Sequence, residues 1–258
     1  MNMTKKNQVH DPESPEKDSF TLVEHLSELR TRIVYSLYAI VLFTCAAWYF
    51  SEYIFDFVRQ PIAKLLPPGE GLYFNAPTEK FMAHIKVSVI AGLVAACPVW
   101  IYHVWKFIEP GLYLKEKKFG RYFIFFGTIL FLIGVSFAYF LVLPAGLKVL
   151  MEFGGTTDKA LITIDYYVSF FLMTVLVFGA AFEMPLIIVL LGMVGIVSSR
   201  GLTRMRRYAI VAIAAASAVF TPPDAISMML LAVPMVLLYE LSILILKVIE
   251  PKENKLTW

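Results

Sequence analysis

Apolar residues along the chain gather into six blocks, and within each block they run on continuously rather than alternating with polar ones. In hydrocarbon every backbone N–H and C=O must be satisfied inside the segment or within a closed barrel, and barrel strands alternate. Continuous blocks therefore predict helices: an all-α integral membrane protein with six spans, over about 33–51, 83–105, 121–143, 166–193, 208–220 and 226–246. Pro98 interrupts the second span, Pro144 ends the third and Pro234 lies within the sixth. The fifth is short: its thirteen residues at a 1.5 Å rise cover about 20 Å, against a hydrocarbon core of about 30 Å. The uncharged part of the sixth, Ile226 to Tyr239, covers about 21 Å by the same rise. Two adjacent short spans imply local thinning of the bilayer, or neighbours that cover their ends.

Ahead of the blocks, residues 1–19 are rich in Lys, Glu, Asp, Asn and Pro and read as a disordered tail. They hold no apolar h-region, so the first block is expected to be a retained span. Over 20–32 Leu22, Leu26, Leu29 and Ile33 recur at helical spacing, behind a capping box of Thr21 and Glu24. Glu24, Glu28 and Arg32 lie four apart on another face. This predicts a short amphipathic helix on a membrane surface or a partner. Residues 20–248 form one membrane domain, and 249–258 a second tail.

Composition agrees: 59% of residues are hydrophobic and 17% charged, with a mean hydropathy of +0.70. A soluble domain carries nearer a quarter charged residues. The net charge is only +3, and no nucleic-acid partner is expected. Its distribution sets the orientation. Lys106, Lys115, Lys117, Lys118 and Arg121 lie between spans two and three, Arg200, Arg204, Arg206 and Arg207 between four and five, and Lys247, Lys252 and Lys255 at the end. The loops 52–82, 144–165 and 221–225 are poorer in base, so both termini are predicted to be cytoplasmic.

Few residues could carry chemistry. Glu183 lies near the middle of the fourth span, where an ionisable group costs roughly 2.5–3.5 kcal/mol on insertion scales. Either it serves a polar site within the membrane, or it is a protonated Glu bonded to a neighbouring helix. Pro185 beside it removes a backbone donor. Glu240 is open between snorkelling, cavity-facing and functional roles, and His84 and Lys86 read as interfacial. Cys45 and Cys97 read as small buried hydrophobes, and His25 and His103 have no metal-ligand spacing. With no phosphate loop and no nucleophile constellation, neither a cofactor nor an enzyme activity is expected. By position alone Glu116, a single acid among Lys115, Lys117 and Lys118, is a solvated charge.

Five motifs, in order, resemble a known family. Glu24-His25-Leu26-Ser27-Glu28-Leu29-Arg30-Thr31-Arg32 resembles the HLxELRxR start of TatC, the multi-spanning core of the twin-arginine protein translocase. Phe107 to Glu116, through Pro110, Leu112 and Tyr113, resembles its FxxPxLYxxE first cytoplasmic loop. Phe137-Ala138-Tyr139-Phe140 with Leu143-Pro144 resembles the end of its third span, Phe182-Glu183-Met184-Pro185 its FExP, and Thr221-Pro222-Pro223-Asp224 its TPPD. The first outer loop, Asn75-Ala76-Pro77-Thr78-Glu79, is close to the usual SPTE.

The resemblance implies six helices, N-in and C-in, in a curved, cupped wall with short fifth and sixth helices. It implies a receptor for signal peptides with two consecutive arginines, a scaffold for TatA-like and TatB-like single-span subunits, and export of folded proteins across the bacterial cytoplasmic membrane driven by the proton-motive force. Homo-oligomerisation within a larger complex and contact with lipid follow from it. The signal-binding positions map onto Glu28, Arg30, Phe107 and Glu116, the intramembrane acid onto Glu183, two family prolines onto Pro61 and Pro98, and partner-helix docking onto Thr221, Asp224 and Met228. At Met228 the family often has Gln, so a hydrogen-bonding group is missing here. Two other classes compete: a proton-coupled small-solute transporter using Glu183, and an assembly factor with no transport role. The first lacks the internal repeats of many secondary transporters.

Overall fold

A computed structural model describes residues 22–67, 69–112, 117–152, 161–220 and 225–249. The expected tails and the ends of several loops lie outside these residues. Among the described residues the chain is helical and has no strand; one isolated backbone bridge joins Tyr73 to Thr163.

The first helix, α1 (Leu22–Tyr49), is unbroken. The sequence predicts a surface helix over 20–32 and then a separate span, but no Gly or Pro falls between Leu22 and Tyr49, so nothing ends the helix at the membrane edge. After a corner at Phe50, α2 (Ser51–Ala63) lies in what the charge pattern alone makes a loop. Its apolar positions, Phe55, Val58, Pro61 and Ile62, fall three and four apart and are buried. Then α3 (Pro77–Ala95) and α4 (Cys97–Ile108) form one bent pair, turned by 56° at Ala96. Pro98 sits in the first turn of α4, where a missing N–H costs nothing, so the break falls just before it.

Next, α5 (Gly120–Phe137) runs through a π segment, Ala138–Val142, into α6 (Leu143–Glu152). The helix passes Pro144 rather than ending there. The Leu143 N–H donates to the Ala138 carbonyl five residues back, a π turn that takes up the register Pro144 disturbs. The fourth block folds as α7 (Ile164–Phe182) and α8 (Met184–Met193), jointed at Glu183. The last two helices are α9 (Ser199–Phe220) and α10 (Ala225–Ile249). Ser198 caps α9 by accepting from the Gly201 N–H at 3.1 Å.

Four helices are long and apolar enough to cross a membrane, or five counting the bent α3–α4 pair as one span. Two helices remain: α2, thirteen residues long, and α9, which carries Arg200, Arg204, Arg206 and Arg207 in its first half.

In the packing, α1 lies along α3 and α4, α5 against α7, and α10 against α8 and α9. The main core joins α2, α3, the π segment, α6 and α7, centred on Ile62, Val87, Leu143, Val168 and Phe178. Between α5 and α7 the backbones come very close. A Cβ on Gly134 would stand 2.6 Å from the Phe178 carbonyl, and one on Gly179 would stand 2.7 Å from the Phe131 ring. Each glycine is the socket for a phenylalanine of the other helix.

Candidate functional site

The face of α1 that turns toward α4 is polar. His25, Glu28 and Arg32 are half-buried, while the apolar Leu26 and Ile33 are exposed. Spacings of three and four put His25, Glu28, Arg32 and Tyr35 on one stripe. Two aromatic stacks bracket it. The His25 ring lies on Phe107 at 4.4 Å between centroids and 15° between planes. One end further along, Tyr35 stacks on His103 at 5.8 Å. Between these stacks Arg32 grips Glu28: its Nη2 at 3.0 Å and its Nε at 3.3 Å both donate to Oε1. The side chains of this pair are only 29% and 21% exposed.

At its end α4 passes through a single 3-10 turn, Glu109–Gly111, with Lys106 paired to Glu109 at 2.7 Å. Trp105, Leu112 and Leu190 form a small buried cluster that fixes this turn to the end of α8. Phe107 is therefore held from both sides. Of the positions the family motifs single out, the structure brings Phe107 and Glu28 to the same seam. Arg30 is exposed and sits off the seam, two residues from both Glu28 and Arg32. Glu116, Thr221 and Asp224 lie outside the described residues.

A second feature is deep in the bundle. At the α7–α8 joint the Glu183 N–H donates to the carbonyls of Ala180 and Ala181. Pro185, in the first turn of α8, has no N–H for Ala181, so the joint's own N–H takes that acceptor. The carboxyl is buried, and its Oε1 has no hydrogen-bond partner among the described residues. Gly127 of α5 makes room for it: a Cβ there would meet Leu186 at 3.0 Å, Ile101 at 3.2 Å and Glu183 Oε2 at 3.4 Å. The acid thus sits in a wedge between α4, α5 and α8. An orphaned buried oxygen is costly.

Pro98 lines an open apolar groove of about 570 Å³, together with Val87, Thr128, Ser136 and Tyr139. Pro61 acts through its missing donor. An α-helical residue at 61 would bond the Phe57 carbonyl; with Pro there, that carbonyl is free, and the Tyr139 hydroxyl donates to it at 2.9 Å. The Tyr167 hydroxyl donates to the Val58 carbonyl one residue on. Met228 is half-buried near the start of α10, one turn before the buried Leu231.

Several contacts escaped the sequence reading. Lys86, read as interfacial, pairs with Asp165 at 2.5 Å and reaches Ser169 at 2.9 Å, joining α3 to α7. Glu240 pairs with Arg206 at 2.7 Å, joining α10 to α9. His25 and Arg32 lie inside the first motif, but only the fold reveals that α4 supplies their neighbours.

The model of the family described as "Sec-independent protein translocase protein (TatC)" matches residues 24–234. The chain is 39% identical to the Sec-independent protein translocase protein TatC of Aquifex aeolicus over 237 residues, covering 91% of this chain and 98% of that one. It is 36% identical to that of Desulforapulum autotrophicum over 239 residues, covering 93% and 88%. The chain belongs to the TatC family. The fold agrees: a crystal structure of the twin-arginine translocase receptor TatC superposes with a TM-score of 0.76 at 38% identity, covering 87% of this chain and 99% of that one. A second crystal structure of that receptor, in DDM, gives 0.78 at 38% identity, covering 86% and 99%. The TatC family accounts for the order of the five motifs and for the apolar helices of a membrane protein, and it makes the chain a component of a protein translocase.

Proposed function

We propose that this chain is the signal-peptide receptor and scaffold subunit of a twin-arginine translocase, set in the bacterial cytoplasmic membrane with six spans and both termini inside. The α1–α4 seam carries the reading. A guanidinium is a planar fork of donors that pairs best with a carboxylate, and two consecutive arginines need two of them. The stack of His25 on Phe107 ties the helix bearing Glu28 and Arg30 to the segment that leads into Glu116. Glu28 supplies one carboxylate at this seam, with an aromatic face beside it for the apolar residues next to the Arg pair, and Glu116 is the second.

The fifth span is the uncharged half of α9, and the basic half stays at the inner surface. Thr221, Asp224 and Met228, in the stretch of sequence where α9 gives way to α10, form the docking place for TatA-like and TatB-like single-span subunits in a larger, homo-oligomeric complex. Pro98 and Pro61 shape the bent second span and the outer helix α2. Glu183, with one oxygen unpaired, is the polar site within the membrane; export of folded cargo draws on the proton-motive force. A solute transporter is not favoured by the family membership.

Glu116→Ala is expected to abolish crosslinking of a twin-arginine signal peptide to the full-length protein while insertion persists. Undiminished crosslinking of the variant would sink the reading. Glu183→Ala is expected to reduce export of a folded reporter, or assembly with the single-span subunits, more than it reduces abundance. A variant that fails to accumulate would favour a packing role for that acid.

A further inference from the structure

We infer that the corner where α1, α2 and α3 meet is a binding site for the headgroup of a zwitterionic phospholipid, with Lys80 taking the phosphate and Glu52 the ammonium. The inference does not rest on the receptor reading: it needs only that α1 and α3 cross the membrane.

An open hollow of about 520 Å³ lies at this corner, an ordinary size for a small-molecule site. The sequence sets its depth in the bilayer. Between Arg32 and Glu52 the chain has no charged residue, so Glu52 marks the point where the chain has left the hydrocarbon. Trp48, Tyr49 and Tyr53, which line the hollow, are of the types that gather at headgroup level in membrane proteins.

Two opposite charges line this one hollow. Glu52 stands in the first turn of α2 and Lys80 near the start of α3. Among the described residues neither side chain makes an ion pair or a hydrogen bond, with the other or with any third group. Charges close by in the chain do find partners: Asp56 pairs with Arg59 at 3.2 Å, and Glu79 accepts from the Asn75 N–H at 3.1 Å. A cation and an anion that line one hollow without meeting are the complement of a ligand with a phosphate at one end and an ammonium at the other. The rest of the lining suits the same ligand. His84 is half-buried, its ring stacked on Phe55 at 4.9 Å between centroids, and a neutral imidazole offers one N–H to a phosphate. Trp48 and Phe81 meet edge to face at 5.8 Å, and an aromatic face attracts an ammonium.

A water-soluble phosphorylated amine has the same two ends. The exposed rings of Tyr49, Tyr53 and Phe81 favour the lipid, since only the lipid brings apolar tails to them. The two charges then have separate duties. Every phospholipid carries a phosphate, so Lys80 contributes to the binding of all of them alike. Only a headgroup with an ammonium satisfies Glu52; one without it sets the carboxylate beside an unbalanced anion. Discrimination between headgroups is therefore assigned to Glu52.

The test titrates the full-length, delipidated protein in detergent with phosphatidylethanolamine, phosphatidylcholine or phosphatidylglycerol of identical acyl chains, and counts bound lipid by native mass spectrometry. The first two are expected to bind one site per chain about tenfold more tightly than phosphatidylglycerol. Glu52→Gln is expected to bring that ratio close to one. Lys80→Gln is expected to weaken all three by a common factor and keep the ratio. Arg59→Gln, at an ion pair outside the hollow, is expected to change neither. N-acetylated phosphatidylethanolamine, which keeps the phosphate and tails and lacks the ammonium, is expected to bind the unmutated protein no better than phosphatidylglycerol; this arm stands even if a variant fails to accumulate. Free glycerophosphoethanolamine at the lipid's own concentration is expected to displace none of it. An unchanged ratio in Glu52→Gln, full affinity in Lys80→Gln, or tight binding of the N-acetylated lipid would show the two charges to be merely solvated and overturn the inference. Displacement by the free headgroup would overturn the lipid as occupant.

Discussion

The two ends of the bundle are built on different principles. At the end that carries α2, nearly every contact is a lock. Phe55, Val58 and Ile62 are buried, Tyr139 and Tyr167 hold two successive carbonyls of α2, and the Tyr73–Thr163 bridge ties the flanking loops through backbone bonds of 3.0 and 2.7 Å. At the other end α1 has no fully buried residue among those whose burial is described, 24–49, and its seam with α4 holds two ring stacks and a half-buried ion pair. Apolar burial and satisfied backbone groups stabilise; stacks and half-exposed charges contribute a fraction of that and can be exchanged for a ligand's. Stability is concentrated in one end, and the proposed function puts recognition at the end whose contacts open more easily.

Substitutions divide along the same line. The largest effect is expected at the α5–α7 contact that supports the locked end. Gly134→Val places atoms where Phe178 and Phe182 already are, and should cost about 3 kcal/mol by overpacking, read as a lower unfolding temperature and poor accumulation. Normal stability in that variant would mean the helices separate easily and the locked end is not locked. Tyr139→Phe and Tyr167→Phe should each cost about 1 kcal/mol by stripping a hydroxyl from a carbonyl of α2, without altering peptide affinity in the folded fraction. A loss of peptide binding there would show the two ends to be coupled. Phe107→Ala should change stability least, by about 0.5 kcal/mol, yet reduce signal-peptide binding clearly. Equal losses in stability and binding would erase the distinction between the ends.

Much of the fold was legible because hydrocarbon imposes a simple pattern: long uncharged runs, with Lys and Arg on one side. The short apolar part of α9, the interruption near Pro98 and the isolation of Glu183 all followed from counting residues. What escaped has a physical cause in each case. Helix α2 is amphipathic and charged, with Glu52, Asp56 and Arg59 on its outer face, so a search for apolar blocks passes over it, although its three-and-four spacing was there to read. Pro144 reads as a stop because the sequence does not announce that a π turn can absorb it. Arg200 to Arg207 read as a loop because charge marks the membrane side and says nothing of backbone shape. At the candidate site the motifs supplied Glu28, Arg30 and Phe107. His25, Arg32 and His103 needed the third dimension, since their meaning lies in which helix faces which.

In the proposed function the unbroken α1 sets the depth at which recognition takes place. Its 28 residues extend about 42 Å at 1.5 Å each, some 12 Å more than the hydrocarbon core. With both termini inside, as proposed, and Tyr49 at the outer boundary, the inner boundary falls near Arg30, among the phosphates of the inner leaflet. In the proposed function Glu28 would therefore work in a layer already crowded with negative charge, and a dibasic peptide would reach it by leaving one set of anions for another. Peptide affinity should then depend on how much anionic lipid surrounds the protein: such lipid gathers the peptide at the surface and, in excess, keeps it there.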